Sequence, residues 1–582
     1  MASVALLAWG RALSALVWRR RESKGTPAGW PESVHPVLQR IYAARGVLEP
    51  GQVEHRLARM LPPRLLGGME QAVELLVEAI RDDWPILIAG DYDCDGATGT
   101  AVAVRGLRLL GAARVDYAIP NRFIHGYGLS PALVDSFQPT PRLVVTVDNG
   151  VASVAGVAAA RARGIRVIVT DHHLPGERLP DCDAMVNPNL AGDLFPSKML
   201  AGVGVMFYLL LALRARLQQQ GAFGGAKPDL SSLLDLVALG TVADLVPLDF
   251  NNRILVEAGL RRIRTGRACA GIVALIEAGK RSMATLCSSD LGFVVGPRLN
   301  AAGRLEDMRL GVECLLTDDP AQAHRHAEQL DAINRQRRDL QASMVAEAEQ
   351  MVADIGHTDA VGVALYEPSW HAGVVGLVAS KLKERLHRPV VAFAPAGEND
   401  GNNLRGSARS IPGFHIRDAL AAVDARQPGL IERFGGHAMA AGLSLKTRDY
   451  PRFAASFDAV ARELLGAEQL QAVLYTDGEL PSGAFSLELA RQLRQAGPWG
   501  QAFPEPLFDN VFDCAGWKVM GERHLRLQLR DPRDHALHDA VIFNAYDGRP
   551  PPTRLRAAYE LTINDWLGRE TPRLLLRHIE PA

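Results

Sequence analysis

Cysteines are few in this sequence, and none of the six is spaced as one half of a metal-binding pair. No C-x₂-C or C-x₄-C spacing occurs, which argues against a zinc ribbon. Scattered thiols in a chain of 582 residues are typical of a protein whose cysteines stay reduced. We therefore expect a cytoplasmic protein.

A surplus of positive charge is also absent, because 64 Lys and Arg residues stand against 65 Asp and Glu residues, for a net charge of −1. Proteins that bind nucleic acids often carry a basic surplus. Any nucleic-acid path on this protein must therefore be a local basic stripe that acids elsewhere offset. Some of those acids would be metal ligands.

The third absence is a long apolar run. Residues 1–18 are fairly apolar, but Arg11 interrupts them and the basic cluster at 19–21 follows them. A signal peptide has its charge before the apolar part, and a membrane span needs about 20 apolar residues. We predict that residues 1–38 form a disordered extension and that the protein does not enter a membrane.

Short apolar runs at 85–89, 143–147 and 165–170 each end in a polar cluster, and helical patterns such as 151–163 lie between them. Apolar strands that alternate with helices predict a parallel sheet covered on both faces. Ligands of such sheets bind at the carboxyl ends of the strands. The polar clusters lie at those ends.

The rest of the chain predicts three further parts. Residues 320–354 have a helical pattern long enough to reach about 50 Å, either as a solvated connector or with a basic face toward a nucleic-acid backbone. A second α/β unit follows at 360–465. Residues 468–582 are rich in strand patterns, with period-two alternation at 524–529 and a hairpin around Gly568, and favour a small barrel of the OB kind.

Four acid-rich or histidine-rich clusters follow the apolar runs. Three carboxylates at alternate positions repel one another unless a cation neutralises them. A single aspartate is more often a cap or turn residue, so four unrelated loops are the alternative interpretation. Together, carboxylates and imidazoles suit two Mn²⁺ or Mg²⁺ ions that act on a phosphodiester. The clusters contain Asp91, Asp93, Asp95, Asp148, Asp171, His172, His173 and Asp244.

These clusters resemble the DHH phosphoesterase superfamily, and further motifs resemble its RecJ exonuclease family over about residues 34–582. The ordered set is far more specific than the Asp-His-His triplet at 171–173. The further motifs are PNR at 120–122, YGLS at 127–130, GPRLNAAGR at 296–304, HAGVVG at 371–376, RGSARS at 405–410, GGHA at 435–438, PWGQ at 498–501 and FPEP at 503–506.

The resemblance implies a role for each residue of the site. Asp93 would bind one metal ion, with Asp91 nearby, and Asp148 would bridge the two ions. The ligands of the other ion would be Asp95, His172 and Asp244. His173 would donate a proton to the leaving oxygen or stabilise its charge, and Asp171 would orient His172.

The resemblance also implies residues that hold DNA. Arg122, Arg298, Ser407 and Arg409 would bind a 5′-terminal phosphate, and Arg304 is a further phosphate-binding candidate. Structural arginines that cap carbonyls are the competing interpretation. Tyr127 would stack on a base, unless it is a core tyrosine. Gly436 and His437 would lie beside the active site.

The implied organisation is an extension (1–38), a DHH phosphoesterase domain (39–319), a connector helix (320–358), a DHH-associated substrate-binding domain (359–466) and an OB-like domain (467–582). The implied activity is 5′→3′ hydrolysis of single-stranded DNA to mononucleotides in repair and recombination. We expect a monomer that works with a single-stranded-DNA-binding protein and a RecQ-type helicase. A phosphodiesterase for short or cyclic oligonucleotides and a non-catalytic DNA-binding scaffold are the alternatives.

Overall fold

The computed structural model describes residues 16–122, 124–354, 360–397, 401–566 and 568–582. These residues form two α/β units joined by a long helix, with a closed β-barrel at the C-terminal end. The predicted fold class is therefore confirmed. No helix within the described ranges is both long and apolar enough to cross a membrane.

The N-terminal region is ordered from its first described residues. Strand β1 (Val17–Arg20) pairs in parallel with a strand near the barrel, Val473–Thr476, and helix α1 (Pro36–Ala44) follows. The guanidinium of Arg556 lies 4.2 Å from the ring centroid of Trp18. The predicted disorder of residues 1–38 is thus wrong for the strand and the start of the helix, while residues 1–15 lie outside the described residues. A four-residue strand whose partner is 456 positions away gives no local sequence signal.

The first α/β unit has a five-stranded parallel sheet in the order β3-β2-β4-β5-β6. Its elements are α2 (Met69–Arg81), β2 (Ile86–Ala89), α3 (Cys94–Leu109), β3 (Val115–Ala118), α4 (Pro131–Asp135), β4 (Leu143–Val147), α5 (Val154–Ala162), β5 (Arg166–Thr170), β6 (Ala184–Val186), α6 (Gly202–Gln219), α7 (Leu234–Ala243), α8 (Phe250–Arg264), α9 (Ala270–Ala278), α10 (Ser288–Asp290), α11 (Gly296–Leu305) and α12 (Arg309–Leu316).

The central strand β4 shows why these residues form a covered sheet. All five of its side chains are buried. Val145 and Val147 belong to the core that includes α3 and α6, whereas Val144 packs with residues of α4 and α5 on the opposite face. Side chains alternate between faces along a strand, so a continuous apolar run fits a sheet with helices on both sides.

Helix α13 (Pro320–Asp354) has the predicted bounds and runs for 35 residues. Its first half contributes Ala323, Ala327 and Leu330 to the core of the first unit. Its second half contributes Met344 and Ala348 to a core of the second unit. The helix is therefore packed against both units rather than solvated along its length.

The second α/β unit has a mixed sheet in the order β10-β11-β9-β8-β7. Helix α14 covers one face of β8, and α15 and α16 cover the other face of the sheet. The elements are β7 (Val363–Tyr366), α14 (Val375–Leu386), β8 (Val390–Pro395), β9 (Asn403–Arg409), α15 (Ile416–Arg426), β10 (Arg433–Gly436), β11 (Ala440–Lys446) and α16 (Tyr450–Leu464).

The C-terminal part begins with β12 (Val473–Thr476) and α17 (Leu487–Gln495), and its barrel closes in the order β13-β14-β15-β17-β16. The predicted hairpin around Gly568 is present as β16 and β17. Barrel residues such as Phe508 and Phe512 belong to the same continuous core as the first unit. The strands are β13 (Phe508–Met520), β14 (His524–Arg530), β15 (Leu537–Ile542), β16 (Arg554–Trp566) and β17 (Arg569–Pro581).

Candidate active site

The segment after β2 supplies three carboxylates, and helix N-termini hold two of them, Asp93 and Asp95. Asp93 caps α3, and its Oδ1 accepts a hydrogen bond from the Gly96 amide at 3.0 Å. Asp95 accepts hydrogen bonds from the amides of Gly202 and Val203 at 2.6 and 3.0 Å, where α6 begins. Backbone amides at a helix N-terminus stabilise a negative charge. These contacts fix the direction in which each carboxylate faces.

Position 202 accepts only glycine. A Cβ there would lie 2.4 Å from the Cβ of Asp148, closer than any real contact between carbon atoms. Asp148 itself follows β4 with a φ of 63° in the left-handed region. The start of α6 therefore packs directly on the end of β4, which brings Asp95 and Asp148 together.

The other two clusters come from different kinds of element. The residues 171–173 follow β5, so they lie at the same sheet edge as the first two clusters. Asp244 caps the C-terminal end of helix α7 rather than following a strand. The helix places it close enough that His172 Nε2 lies 3.0 Å from Asp148 Oδ1 and 3.5 Å from Asp244 Oδ2.

Ligand atoms from these loops form three overlapping groups, and within each group all atoms lie within 4.8 Å of one another. Asp148 and His172 each belong to two of the groups. All of the predicted metal ligands are therefore brought together. The groups are Asp91 with Asp93 and Asp148, Asp95 with His172 and Asp244, and Asp148 with His172 and His173.

The electrostatics of the site fit divalent cations. Burial and then repulsion by neighbouring carboxylates raise the pKa of Asp91, Asp148 and Asp244 well above the ordinary value, and raise the pKa of Asp95 to about 7. Burial, followed by the charge of His173, lowers the pKa of His172 to about 4, which leaves its imidazole neutral. Upward pKa shifts of this kind are expected for buried carboxylates that repel one another and have no cation between them.

Orphaned polar atoms support the same conclusion. Asp91 Oδ1, Asp148 Oδ1 and His172 Nε2 are buried and form no hydrogen bond of acceptable geometry with any described residue, although the last two atoms lie 3.0 Å apart. Buried polar atoms without partners are costly, and a cluster of carboxylate oxygens and one imidazole nitrogen is a donor set for Mn²⁺ or Mg²⁺. The residues present therefore fit metal ions.

Asp171 orients His173 and not His172, which corrects the expectation. Its Oδ1 lies 2.7 Å from His173 Nδ1, whereas it contacts His172 only at the backbone amide. Burial alone would raise the pKa of Asp171, but its hydrogen bonds from His173 and from the Val151 amide lower it. Burial alone would lower the pKa of His173, but Asp171 and then Asp91 raise it.

Tyr127 lies in the cleft beside these histidines. Its hydroxyl is 3.4 Å from His173 Nε2 and donates to the Asp148 carbonyl at 3.3 Å. The residue is 50% exposed, so the core-tyrosine interpretation is wrong. The exposed ring is available to a base in the cleft.

The second α/β unit reaches this site through the turn between β10 and β11. The ring of His437 lies 6.3 Å from the ring of His173, with the two planes nearly parallel. Gly436, one residue earlier, has a φ of 143°, and a Cβ there would lie 2.4 Å from the Ala440 carbonyl oxygen. Glycine is therefore required for the turn that presents His437 to the first unit.

Four arginines meet beside the metal-ligand groups. Arg409 donates to Ser407 Oγ at 2.9 Å, and the guanidinium of Arg122 lies 4.2 Å from the ring centroid of Tyr92. Burial and then the charges of Arg122, Arg409 and Arg337 lower the pKa of Arg304 to about 10. Within the described part of the chain, none of the four has a carboxylate at ion-pair distance. Such a group of partly buried cations fits a phosphate.

Two arginines differ from the sequence prediction. Arg298 pairs with Asp331 at 2.8 Å and donates to the carbonyls of Val294 and Ala278, so these donors are used inside the protein. These contacts favour the structural interpretation of Arg298, whose Nε has no partner within the described residues. Its phosphate contact stays a prediction. Arg337 of α13 was missed, because the sequence shows only a basic stretch in a helix and not which of its arginines is buried.

Comparison with known proteins places these observations in a family. The profile named DHH family, N-terminal domain, matches residues 85–241, the DHHA1 domain matches 358–463, and the RecJ OB domain matches 476–578. The single-stranded-DNA-specific exonuclease RecJ of Dickeya dadantii is 50% identical over 573 residues, which are 97% of this chain and 99% of the relative.

Solved structures agree with the sequence comparison. The crystal structure of RecJ from Thermus thermophilus in complex with Mn²⁺ matches with a TM-score of 0.79 and 31% identity, over 97% of this chain and 80% of that chain. The corresponding Mg²⁺ complex matches with a TM-score of 0.75 and 29% identity, over 97% and 79%. The chain belongs to the RecJ family of single-stranded-DNA-specific exonucleases.

Proposed function

We propose that this protein is a metal-dependent exonuclease that hydrolyses single-stranded DNA from the 5′ end to mononucleotides, in DNA repair and recombination. The observation that carries the proposal is one cleft in which three overlapping groups of metal-ligand atoms lie beside a cluster of arginines that have no ion-pair partner among the described residues. The first feature suits a scissile phosphodiester and the second suits a terminal phosphate. A strand whose terminal phosphate is held by the arginines would present a phosphodiester close to that end to the metal ions.

Two divalent ions bound in such a site supply a nucleophilic water at neutral pH and stabilise charge on the phosphate. Asp91 and Asp93 would hold one ion. Asp95, His172 and Asp244 would hold the other, and Asp148 would contribute to both. Asp148 is suited to this because it belongs to the group of Asp91 and Asp93, and its Oδ1 lies 3.0 Å from Nε2 of His172, a member of the other group.

His173 would act on the leaving oxygen. The contact with Asp171 keeps the proton on Nδ1, which orients the ring, and Nε2 faces the cleft beside Tyr127. Because its contacts raise the pKa of His173, the protonated ring is favoured over the neutral one and can act as a proton donor. Tyr127 would stack on a base of the strand, and Gly436 and His437 would close the cleft from the second unit.

The 5′-terminal phosphate would bind to Arg122, Arg304, Ser407 and Arg409. Gly376 at the start of α14 lies against this group, because a Cβ there would meet Ser407 Oγ at 2.8 Å and Arg409 Nη2 at 2.9 Å. The amides of the first helical turn therefore add partial positive charge to the same place. The 5′→3′ polarity of the proposal rests on this group.

Single-stranded DNA would reach the cleft along the barrel, whose exposed Trp517 is 42% accessible. We further propose a monomer that works with a single-stranded-DNA-binding protein and a RecQ-type helicase. A cytoplasmic location is also proposed, supported by the six free thiols.

The two alternative functions are less well supported. A phosphodiesterase for short or cyclic oligonucleotides does not need the barrel, yet barrel and first unit share one continuous core here. For that reason a truncation near residue 465 would expose the core and is not a useful test. Comparing cleavage of a long single strand with cleavage of a dinucleotide separates the two activities in the intact chain.

A scaffold without activity is disfavoured because the full ligand set is present.

Metal binding should stabilise the fold, and more strongly at higher pH. The folded-state pKa of Asp95 is about 7 against 3.8 without perturbation, so the folded protein binds this proton more tightly than the unfolded chain. The metal-free protein therefore loses stability as pH rises between these values, whereas metal ions prefer the deprotonated ligands. Thermal unfolding in EDTA and in Mn²⁺ at about pH 5.5 and about pH 8 should show a larger Mn²⁺ effect at the higher pH. An equal effect at both pH values would contradict the assignment.

Arg409→Gln should weaken binding of 5′-phosphorylated DNA. Loss of a charged hydrogen bond of about 1.5–3 kcal/mol raises KM about 10–100-fold. The same change should leave KM for a 5′-hydroxyl strand within about threefold, because that strand has no phosphate to lose. Arg448→Gln, an exposed arginine of the same unit, is the matched control. Equal loss on both strands would show that Arg409 has only a structural role.

A further inference from the structure

A groove of about 460 Å³ continues beyond the proposed terminal-phosphate site. On one side lie residues of the first unit, including Tyr92 and Tyr127, and on the other lie β9, β10 and β11 of the second unit. Its lining contains three arginines, Arg122, Arg405 and Arg433, and no acidic residue among the described ranges. A groove of this size holds a small ligand, and its charge selects an anion.

Strand register gives the order of the subsites along this groove. Arg405, Ser407 and Arg409 alternate along β9 and therefore share one face of the sheet. Arg409 pairs with Ala440, close to the turn that carries His437 toward the metal-ligand groups. Each step of two residues along β9 is about 6.6 Å farther from that turn. Arg405 is thus two steps from Arg409 and one step beyond Ser407.

The cross-strand row that contains Arg405, which we call the far row, contains two arginines. Arg405 pairs across the sheet with Ser444 of β11, which in turn pairs with Arg433 of β10, so both arginines lie in one cross-strand row. Within the described ranges, neither guanidinium has a hydrogen-bond or ion-pair partner. Arginines without any partner in a groove free of acids are available to a ligand.

The cross-strand row that contains Ser407 has almost no side-chain atoms. Ser407 pairs with Gly442, and Gly442 pairs with Gly435. A Cβ built on Gly435 or Gly442 meets no atom within 4 Å, so the face of the sheet is open for at least that distance at these positions. A ligand that extends from Ser407 toward Arg405 therefore has an open path along the strand.

We propose that Arg405 and Arg433 form a second anion subsite that binds the further phosphates of a 5′-diphosphate or 5′-triphosphate end. This proposal rests on the proposed function, because it takes Ser407 and Arg409 as the site of the first phosphate. The far row begins one step of about 6.6 Å beyond Ser407, and linked phosphates would extend toward it along the open path. The enzyme would then accept strands whose 5′ end still carries the triphosphate of the initiating nucleotide.

The test compares one single-stranded oligonucleotide with a 5′-hydroxyl, a 5′-monophosphate or a 5′-triphosphate end. Steady-state digestion by the full-length wild-type protein in Mn²⁺ is measured beside the double variant Arg405→Gln, Arg433→Gln. A second double variant, Arg448→Gln, Arg452→Gln, removes the same charge from an exposed part of the same unit. Thermal unfolding of each variant shows whether it is folded.

The wild-type protein should digest the triphosphate strand with a KM no higher than that of the monophosphate strand. The Arg405, Arg433 double variant should raise KM for the triphosphate strand about tenfold or more and leave the monophosphate KM within about twofold. The proposal is overturned if the wild type does not digest the triphosphate strand, or if the variant affects both strands equally, as contacts to a base would. Failure to digest even the monophosphate strand would instead overturn the proposed function.

Discussion

Asp148→Asn should lower the rate of DNA hydrolysis by at least about a thousandfold with the fold intact. The asparagine keeps the size of the side chain and removes the negative charge of a carboxylate that belongs to two of the three close groups, one with Asp91 and Asp93 and one with His172 and His173. Loss of several kcal/mol of transition-state stabilisation is expected when a shared ligand is removed, on the order of 4 kcal/mol or more.

The same substitution should stabilise the metal-free protein. Asp148 is buried, and the charges of Asp95 and Asp93 add to the burial that raises its pKa. Asparagine in its place removes one member of a repelling group. We expect a higher Tm than wild type in EDTA and a smaller response to Mn²⁺. Asp116→Asn, on the exposed side of β3, is the matched control and should change neither rate nor Tm. Activity above a tenth of the wild-type rate would disprove the shared-ligand role.

His173→Ala should lower kcat by about 10²–10⁴-fold, the range for loss of a general acid. KM should change little, because the proposed phosphate contacts are made by other residues. The protonated form of His173 is the active one, so kcat of the wild type should fall as pH rises above the raised pKa of His173. A His173→Ala enzyme should lack this alkaline limb.

Asp171→Asn provides the readout that separates positioning from simple loss of structure. Without the carboxylate that lies 2.7 Å from Nδ1, the pKa of His173 should fall, and the alkaline limb of kcat should move to lower pH. His415→Ala, an exposed histidine of the second unit, is the control and should leave the profile unchanged. An unchanged limb in Asp171→Asn would rule out the proposed pair.

Much of the fold follows from local sequence pattern. The strands after which the ligands lie, and the helix at 320–354, were predicted because burial on both faces and helical periodicity are properties of consecutive residues. Convergence of the metal ligands followed from parallel topology, which places strand ends at one sheet edge. Strand β1 was not predicted because its order depends on a partner far away in the chain.

The differences between prediction and structure at the site have a similar cause. Both Arg298 and Arg304 belong to one motif, yet one faces Asp331 and the other faces the arginine cluster. Sequence spacing gives the turn of the helix but not the helices that pack on each face. Likewise the choice of Asp171 between His172 and His173 depends on ring rotation after β5, which no pattern encodes.

Helix α13 has a mechanical consequence for how a substrate enters. Because one continuous helix is buried in both α/β units, swinging the units apart would bend it or strip one of its apolar ends from a core. We therefore expect the gap between the units to keep a nearly constant width. We expect the chain end to be threaded into a preformed slot, so that substrates are sorted by thickness before any chemistry occurs.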